Sequence, residues 1–219
     1  MAEAARTQRA DSIATRERIL DASVALFSER GYDGTSLRAI AEAAEVNLAA
    51  ANYHFGSKAQ LLEAAFKHCV APINAARLER LATIEAMPGE PTVEDIVRAF
   101  VDLRFASGAV PHVPQFVARL FAEPKGFSVP LLERVFGPTV QPFYLALKRL
   151  LPEVNTRELQ WRFHFLIGSM IQLAHFDTPL NVFDPDSFEP EAMQQMGVQQ
   201  LVSFVVAGIR QQPAPGEFA

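Results

Sequence analysis

The chain has 219 residues, with 20 Lys and Arg against 25 Asp and Glu and a single cysteine. Apolar residues make up 49%, enough for a substantial core, which excludes a disordered chain. Arg, His or Gln interrupts the apolar stretches well short of the roughly 18 residues needed to cross a bilayer, and Met1–Asp11 lacks the apolar centre of a secretory signal.

Cys69 alone supplies neither a disulfide framework nor a thiolate zinc site, so a cytoplasmic protein without membrane contact is expected. The net charge is −5, with 8 basic and 9 acidic residues up to position 70, then 12 and 16 after it. No basic domain announces nucleic acid; any such claim must rest on where the charges sit.

In chain order, Arg16–Arg30 places Ile19, Leu20, Ser23, Val24, Leu26 and Phe27 on one helical face, with Gly31 as its stop. Thr35 or Ser36 caps a short helix through Leu37, Ile40 and Ala41, and Asn47 caps another over Leu48–Tyr53. Ser57–Gln60 has the spacing of a capping box, followed by an apolar stripe from Leu61 to Ile73. That helix is expected to reach about Ala86, kinked at Pro72.

After Met87–Pro91, Thr92 caps a helix through Phe105. Prolines at 111, 114, 124, 130, 138 and 142 then suggest short helices at Gln115–Ala122 and Pro130–Phe136, and a further one from Pro142 to about Leu151. Asn155–Glu158 opens a helix to about His175. Phe176–Pro190 reads as a loop, Pro190 starts a final helix to about Arg210, and Gln211–Ala219 reads as frayed. No stretch alternates as a strand, so the fold is expected to be all-α.

Two short helices separated by Ala44-Glu45-Val46 and flanked by longer ones read as a helix-turn-helix in a three-helix setting. Ala49 and Ala50 keep the second helix low enough to approach a groove wall. Asn52 carries the donor–acceptor pair that fits adenine, and an alanine methyl suits the thymine methyl. Tyr53 and His54 offer polar tips to phosphate. Lys58, Thr35 and Ser36 sit at helix starts that favour anions, with Arg38 nearby. From Val46 to Leu62 there is no acidic residue, and Arg6 and Arg9 in the leading tail suit a flexible basic arm. Arg38 can equally pair with Glu42 one turn on. Tyr32, Phe55 and Cys69 read as core residues.

Gly31-Tyr32-x-x-Thr35-Ser36-Leu37-Arg38-x-Ile40-Ala41, Val46-Asn47 and Tyr53-His54-Phe55-x-x-Lys58-x-x-Leu61-Leu62 together resemble the TetR family of bacterial repressors. The resemblance covers about residues 16–66. It implies a homodimer with a DNA-binding domain of three helices and a C-terminal domain that binds an inducer. By position, Thr35, Ser36, Asn47, Ala49, Ala50, Asn52, Tyr53, His54 and Lys58 would face DNA. Glu45 stands where the family usually has Gly, and Asn52 where it usually has Tyr.

Expected domains are therefore an arm and helix-turn-helix over 1–56 and a helical effector-binding and dimerisation domain over 57–219. Leu159–Ala174 is apolar nearly all round, and the last helix carries Met193, Gly197, Leu201, Phe204, Val205, Gly208 and Ile209. The two helices suit a four-helix dimer interface across a twofold axis. A monomeric apolar core explains the same pattern.

Phenylalanines crowd the middle helices. Apolar side chains with a few basic groups describe a pocket for an apolar anion, with Phe105, Phe116, Phe143, Phe163 and Ile167 as lining and Arg104, Arg119, Arg162 and His164 as anchors. Plain core is the competing reading, and Arg162 can pair with Glu158.

Val46–Lys58, Trp161-Arg162-x-His164-Phe165 and Ala207-Gly208 are similar to the PsrA-type, fatty-acid-responsive branch, which implies a fatty acid or acyl thioester as inducer. No metal or cofactor is expected: His164 and His175 lie about 16 Å apart along a helix, too far to share an ion. A small all-α acyl enzyme is the alternative, but no nucleophile elbow, HExxH, P-loop or dinucleotide turn is present.

Overall fold

The computed structural model describes residues 2–101, 113–174 and 190–211. Among these, every regular element is an α-helix: α1 (Ala2–Arg30), α2 (Leu37–Ala43), α3 (Leu48–Phe55), α4 (Lys58–Ala86), α5 (Val93–Val101), α6 (Val113–Ala122), α7 (Lys125–Leu150), α8 (Thr156–Ala174) and α9 (Pro190–Arg210). The all-α expectation holds.

Local chemistry sets most boundaries. Gly31, at φ 71°, ends α1 and donates its N–H to Phe27 O at 3.0 Å. Ser36 caps α2 by accepting from Ala39 N, and Asn47 caps α3 by accepting from Ala50 N. Ser57 and Gln60 form the expected reciprocal box at the start of α4. Thr92 and Asp95 form a second box before α5, and Asn155 takes the Glu158 N–H before α8.

Two expectations fail. Residues 2–15 belong to α1, so Arg6 and Arg9 lie on a helix and not on an arm. The proposed breaks at Pro130–Pro142 are absent, because α7 runs unbroken through all three prolines. Its buried positions Leu131, Leu132, Val135, Thr139, Phe143, Ala146 and Leu147 form one continuous stripe, while Pro130 and Pro138 face outward. Burying that stripe, at about 1.5–3 kcal/mol per large side chain, outweighs the hydrogen bonds the prolines remove. The expected loop at 176–190 and all but Gln211 of the frayed end lie outside the described residues, apart from Pro190 itself.

The chain forms two compact units. The first comprises Met1–Pro72 with Val110–Val135, and the second Ile73–Ala109 with Phe136–Ala219. Residues 113–135, placed by the sequence in an effector domain of 57–219, thus pack with the N-terminal helices. The core of the first unit includes Ile19, Leu20, Phe27, Ile40, Leu61, Phe66 and Phe116. The second is built on Ile96, Phe100, Phe143, Leu147, Phe163, Leu166 and Val202. Gly197 lets α9 approach α8 closely: a Cβ there would sit 2.6 Å from Leu173 Cδ1.

Candidate nucleic-acid interface

The turn between α2 and α3 fixes how the second helix is presented. Ala44 ends α2, Glu45 N donates to Glu42 O at 3.1 Å, and Val46 N donates to Ala41 O at 2.9 Å. That pair of bonds is the Schellman closure, and it puts Glu45 in the left-handed region at φ 54°. From there α3 buries Ala51 and Phe55 against the unit and leaves Leu48, Ala49, Asn52 and Tyr53 exposed, Tyr53 at 85%. Ala50 and His54 are half-buried. The His54 ring meets Tyr53 edge-on, with centroids 5.4 Å apart. Arg16 lies over the Phe55 ring at 5.3 Å.

Two expected DNA contacts turn inward. Thr35 is 2% exposed, and its hydroxyl lies 2.8 Å from Gly31 O and 3.2 Å from Leu26 O. Lys58 Nζ donates to Tyr32 O at 2.8 Å and Thr35 O at 2.9 Å, and sits 4.1 Å from the Tyr32 ring centroid. Both residues hold the turn before α2, because its carbonyls are the nearest acceptors. The Thr35 hydroxyl is thus buried, and two of the three N–H donors of Lys58 are taken up by the turn. Ser36 and Asn47 are exposed while serving as caps, and Arg38 pairs with Glu42 at 3.4 Å.

The expected effector residues that the structure describes are divided between the two units. Arg104 and Phe105 lie outside the described residues. Phe116 and Arg119 belong to the first unit. The Phe116 ring packs on Phe27 and Phe66, with centroids 6.1 and 5.3 Å away. Arg119 donates to Ser28 O and Glu29 O, capping the end of α1. In the second unit, Phe143 and Phe163 are buried against Phe100, and Ile167 packs beside that core. Arg162 is committed to Glu158 and to Ile209 O. His164 is exposed on the face that carries Trp161 and Phe165, with Nδ1 2.7 Å from Gln160 O. Arg119, Arg162 and His164 thus each have a hydrogen-bond partner within the chain.

Sequence reasoning missed Arg77. Val70, Asn74, Arg77 and Leu81 are all buried, at spacings of four, three and four along α4, so continuing the apolar stripe would have placed it inside. Burial alone pushes its guanidinium down to about 10, which leaves it charged at neutral pH.

Residues 19–65 match the model for bacterial regulatory proteins of the tetR family, and residues 94–208 match a tetracyclin repressor-like C-terminal domain, which is more than half of the chain. The chain belongs to the TetR family. Members of the family are DNA-binding transcriptional regulators, typically ligand-responsive repressors and dimers.

Over 59 residues it is 41% identical to the biofilm operon icaADBC HTH-type negative transcriptional regulator IcaR of Staphylococcus aureus (strain Newman). That match spans 27% of this chain and about a third (32%) of IcaR. Similar solved structures include a linker-substituted mutant of HlyIIR, with TM-score 0.61, 18% identity and 92% of this chain and 98% of that chain covered. Another is a tetR-family transcription regulator from Shewanella sp. PV-4, with TM-score 0.61, 17% identity and 87% and 97% covered. At these identities the likeness is one of fold. No helix among the described residues is long and apolar enough to cross a membrane.

Proposed function

We propose that this TetR-family chain is a cytoplasmic homodimeric repressor that leaves its operator when a small apolar or amphipathic effector binds. The observation that carries the reading is the outward side of α3, where Ala49, Asn52 and Tyr53 stand exposed in a stretch, Val46–Leu62, without an acidic residue. Low side chains admit the backbone to a major groove, Asn52 reads a base edge, and Ser36, Asn47, Tyr53 and His54 meet the strands, with Ala50 beside them. DNA contacts then fall within 1–56, and effector binding and dimerisation within 57–219. The name of IcaR, a negative regulator, supports the sign of control.

The dimer reading rests on α8 and α9. Trp161 is 65% exposed, Phe165 64% and Phe204 72%, with Met196 on the same side of α9 as Phe204. A second copy presenting the same face would cover these side chains. Two recognition helices in one dimer then read half-sites about one helical turn apart. A fatty acid or acyl thioester is the finer effector reading, supported by the buried Phe100, Phe143 and Phe163 and by the PsrA-type resemblance.

Selection from a random duplex pool, followed by gel shift, tests the interface. Asn52→Ala relaxes base preference at one position by about 1–3 kcal/mol. Tyr53→Phe weakens all sequences alike. Unchanged binding in both variants refutes the assignment. A reporter behind the selected site reads the sign of control.

A further inference from the structure

In the second unit, α4 carries a cation into an apolar core. Arg77 is 5% exposed. Its Nε donates to Phe100 O at 2.8 Å, and its guanidinium lies 4.5 Å from the Phe100 ring centroid. Phe100 in turn meets Phe143 and Phe163 edge-on, at 5.0 and 5.3 Å. Among the described residues, no carboxylate pairs with Arg77. Arg162, also deeply placed among the described residues of this unit, is by contrast neutralised by Glu158.

A buried charge without a counter-charge is costly, and one carbonyl and one ring face offset only part of that cost. The carbonyl engages one of five N–H donors, which leaves the Nη edge, the side of the fork suited to a bidentate carboxylate. Arg77 remains charged at neutral pH despite its burial.

We propose that Arg77 anchors the effector, and that the effector is a free monocarboxylic acid whose apolar body lies against Phe100, Phe143 and Phe163. The inference rests on the effector-responsive reading above and narrows it. One guanidinium neutralises one negative charge. A thioester has no carboxylate at its acyl end, and a phosphate-bearing carrier brings charges that Arg77 alone does not match. The free acid is the better fit.

Calorimetric titration of the full chain with hexanoate, decanoate, palmitate and 4-phenylbutyrate, each beside its methyl ester, tests the proposal. At least one acid binds, and its ester binds at least about tenfold more weakly. Arg77→Met, close in volume and uncharged, abolishes that preference while its ester affinity stays put. Arg77→Lys keeps the charge but loses the fork, and so keeps only part of the preference; it decides the matter if Arg77→Met shows no cooperative melt. The proposal is overturned if no acid binds, if acid and ester bind alike, or if both variants retain the wild-type preference.

Gel shift on the selected duplex separates this result from the parent reading. An acid that binds through Arg77 without releasing DNA leaves the acid site standing and removes the effector role. An acid that releases DNA equally well from both variants removes the anchor and keeps the effector role.

Discussion

Glu45 offers a direct measurement of backbone strain in the helix-turn-helix. It occupies the left-handed position after α2 at φ 54°, where its own N–H and that of Val46 close the helix on Glu42 O and Ala41 O. An L-residue held there costs about 1–2 kcal/mol. Glycine removes that cost but loses about 0.5–1 kcal/mol more chain entropy on folding. The difference predicts that Glu45→Gly stabilises the fold by about 0.5–1 kcal/mol, or roughly 1–4 °C in a chain of this length.

Glu45 is also an exposed acid two residues before Asn47, so its removal strengthens DNA binding about twofold at low salt, an effect that fades with screening. Glu45→Gln separates the two terms: it strengthens binding equally and gains no stability. Urea denaturation of the three proteins beside gel shifts at two salt concentrations reads both. A Glu45→Gly protein no more stable than Glu45→Gln refutes the strain argument.

Other substitutions test the remaining contacts. Lys58→Met deletes two charge-assisted hydrogen bonds to the turn before α2. It lowers stability by about 2 kcal/mol in denaturant titration, while the salt slope of DNA binding stays as in the wild type because no phosphate contact is lost. Phe204→Asp, at a position 72% exposed, leaves the melting curve of the protomer intact and raises the dissociation constant of the proposed dimer at least about a hundredfold, read by light scattering over a dilution series. Thr92→Ala removes the cap of α5 and costs about 1 kcal/mol at neutral pH.

That last cost depends on pH. The Thr92 hydroxyl and then its backbone N–H hold the Asp95 carboxyl below its usual range. A depressed carboxylate stabilises the fold above its unfolded pKa and ceases to do so as pH falls through the folded one. The gap between wild type and Thr92→Ala therefore narrows on acidification, while the bond from Asp95 N to the Thr92 hydroxyl preserves the remainder.

The legible features were local ones. Ser36, Asn47, Ser57, Thr92 and Asn155 announce helix starts because each satisfies a backbone N–H within three residues, and Gly31 announces a stop because glycine meets no penalty at positive φ. Each proline of α7 argues locally for a helix end, whereas the stripe from Leu131 to Leu147 argues globally for continuity. Thr35, Lys58 and Arg119 have the chemistry of phosphate or effector contacts. Thr35 instead turns inward onto Gly31 O one turn back, and Lys58 and Arg119 are taken up by carbonyls 23 to 91 residues away, which no spacing rule exposes. Arg77 reads as a surface cation until the buried face of α4 is followed past Ile73.

These inward contacts converge on one segment of the first unit. The turn from Gly31 to Thr35 is held by Lys58 at the start of α4, and by Glu123, whose Oε1 accepts from Tyr32 N at 3.2 Å. Beside it, Arg119 caps the last carbonyls of α1, and the Phe127 ring packs on Tyr32 with centroids 4.9 Å apart. Ser36, the cap that starts α2, follows this turn directly, and α3 is tied to α2 by the closure at Glu45. The placement of the recognition helix is thus set partly by residues 119–127, some seventy positions further along the chain than the helix itself. Any state in which α6 slides along α1 breaks the Arg119 and Glu123 contacts together and frees the turn that carries Ser36. The segment 113–135 belongs to the same compact unit as α2 and α3, so a shift in it reaches those helices through hydrogen bonds within a single core.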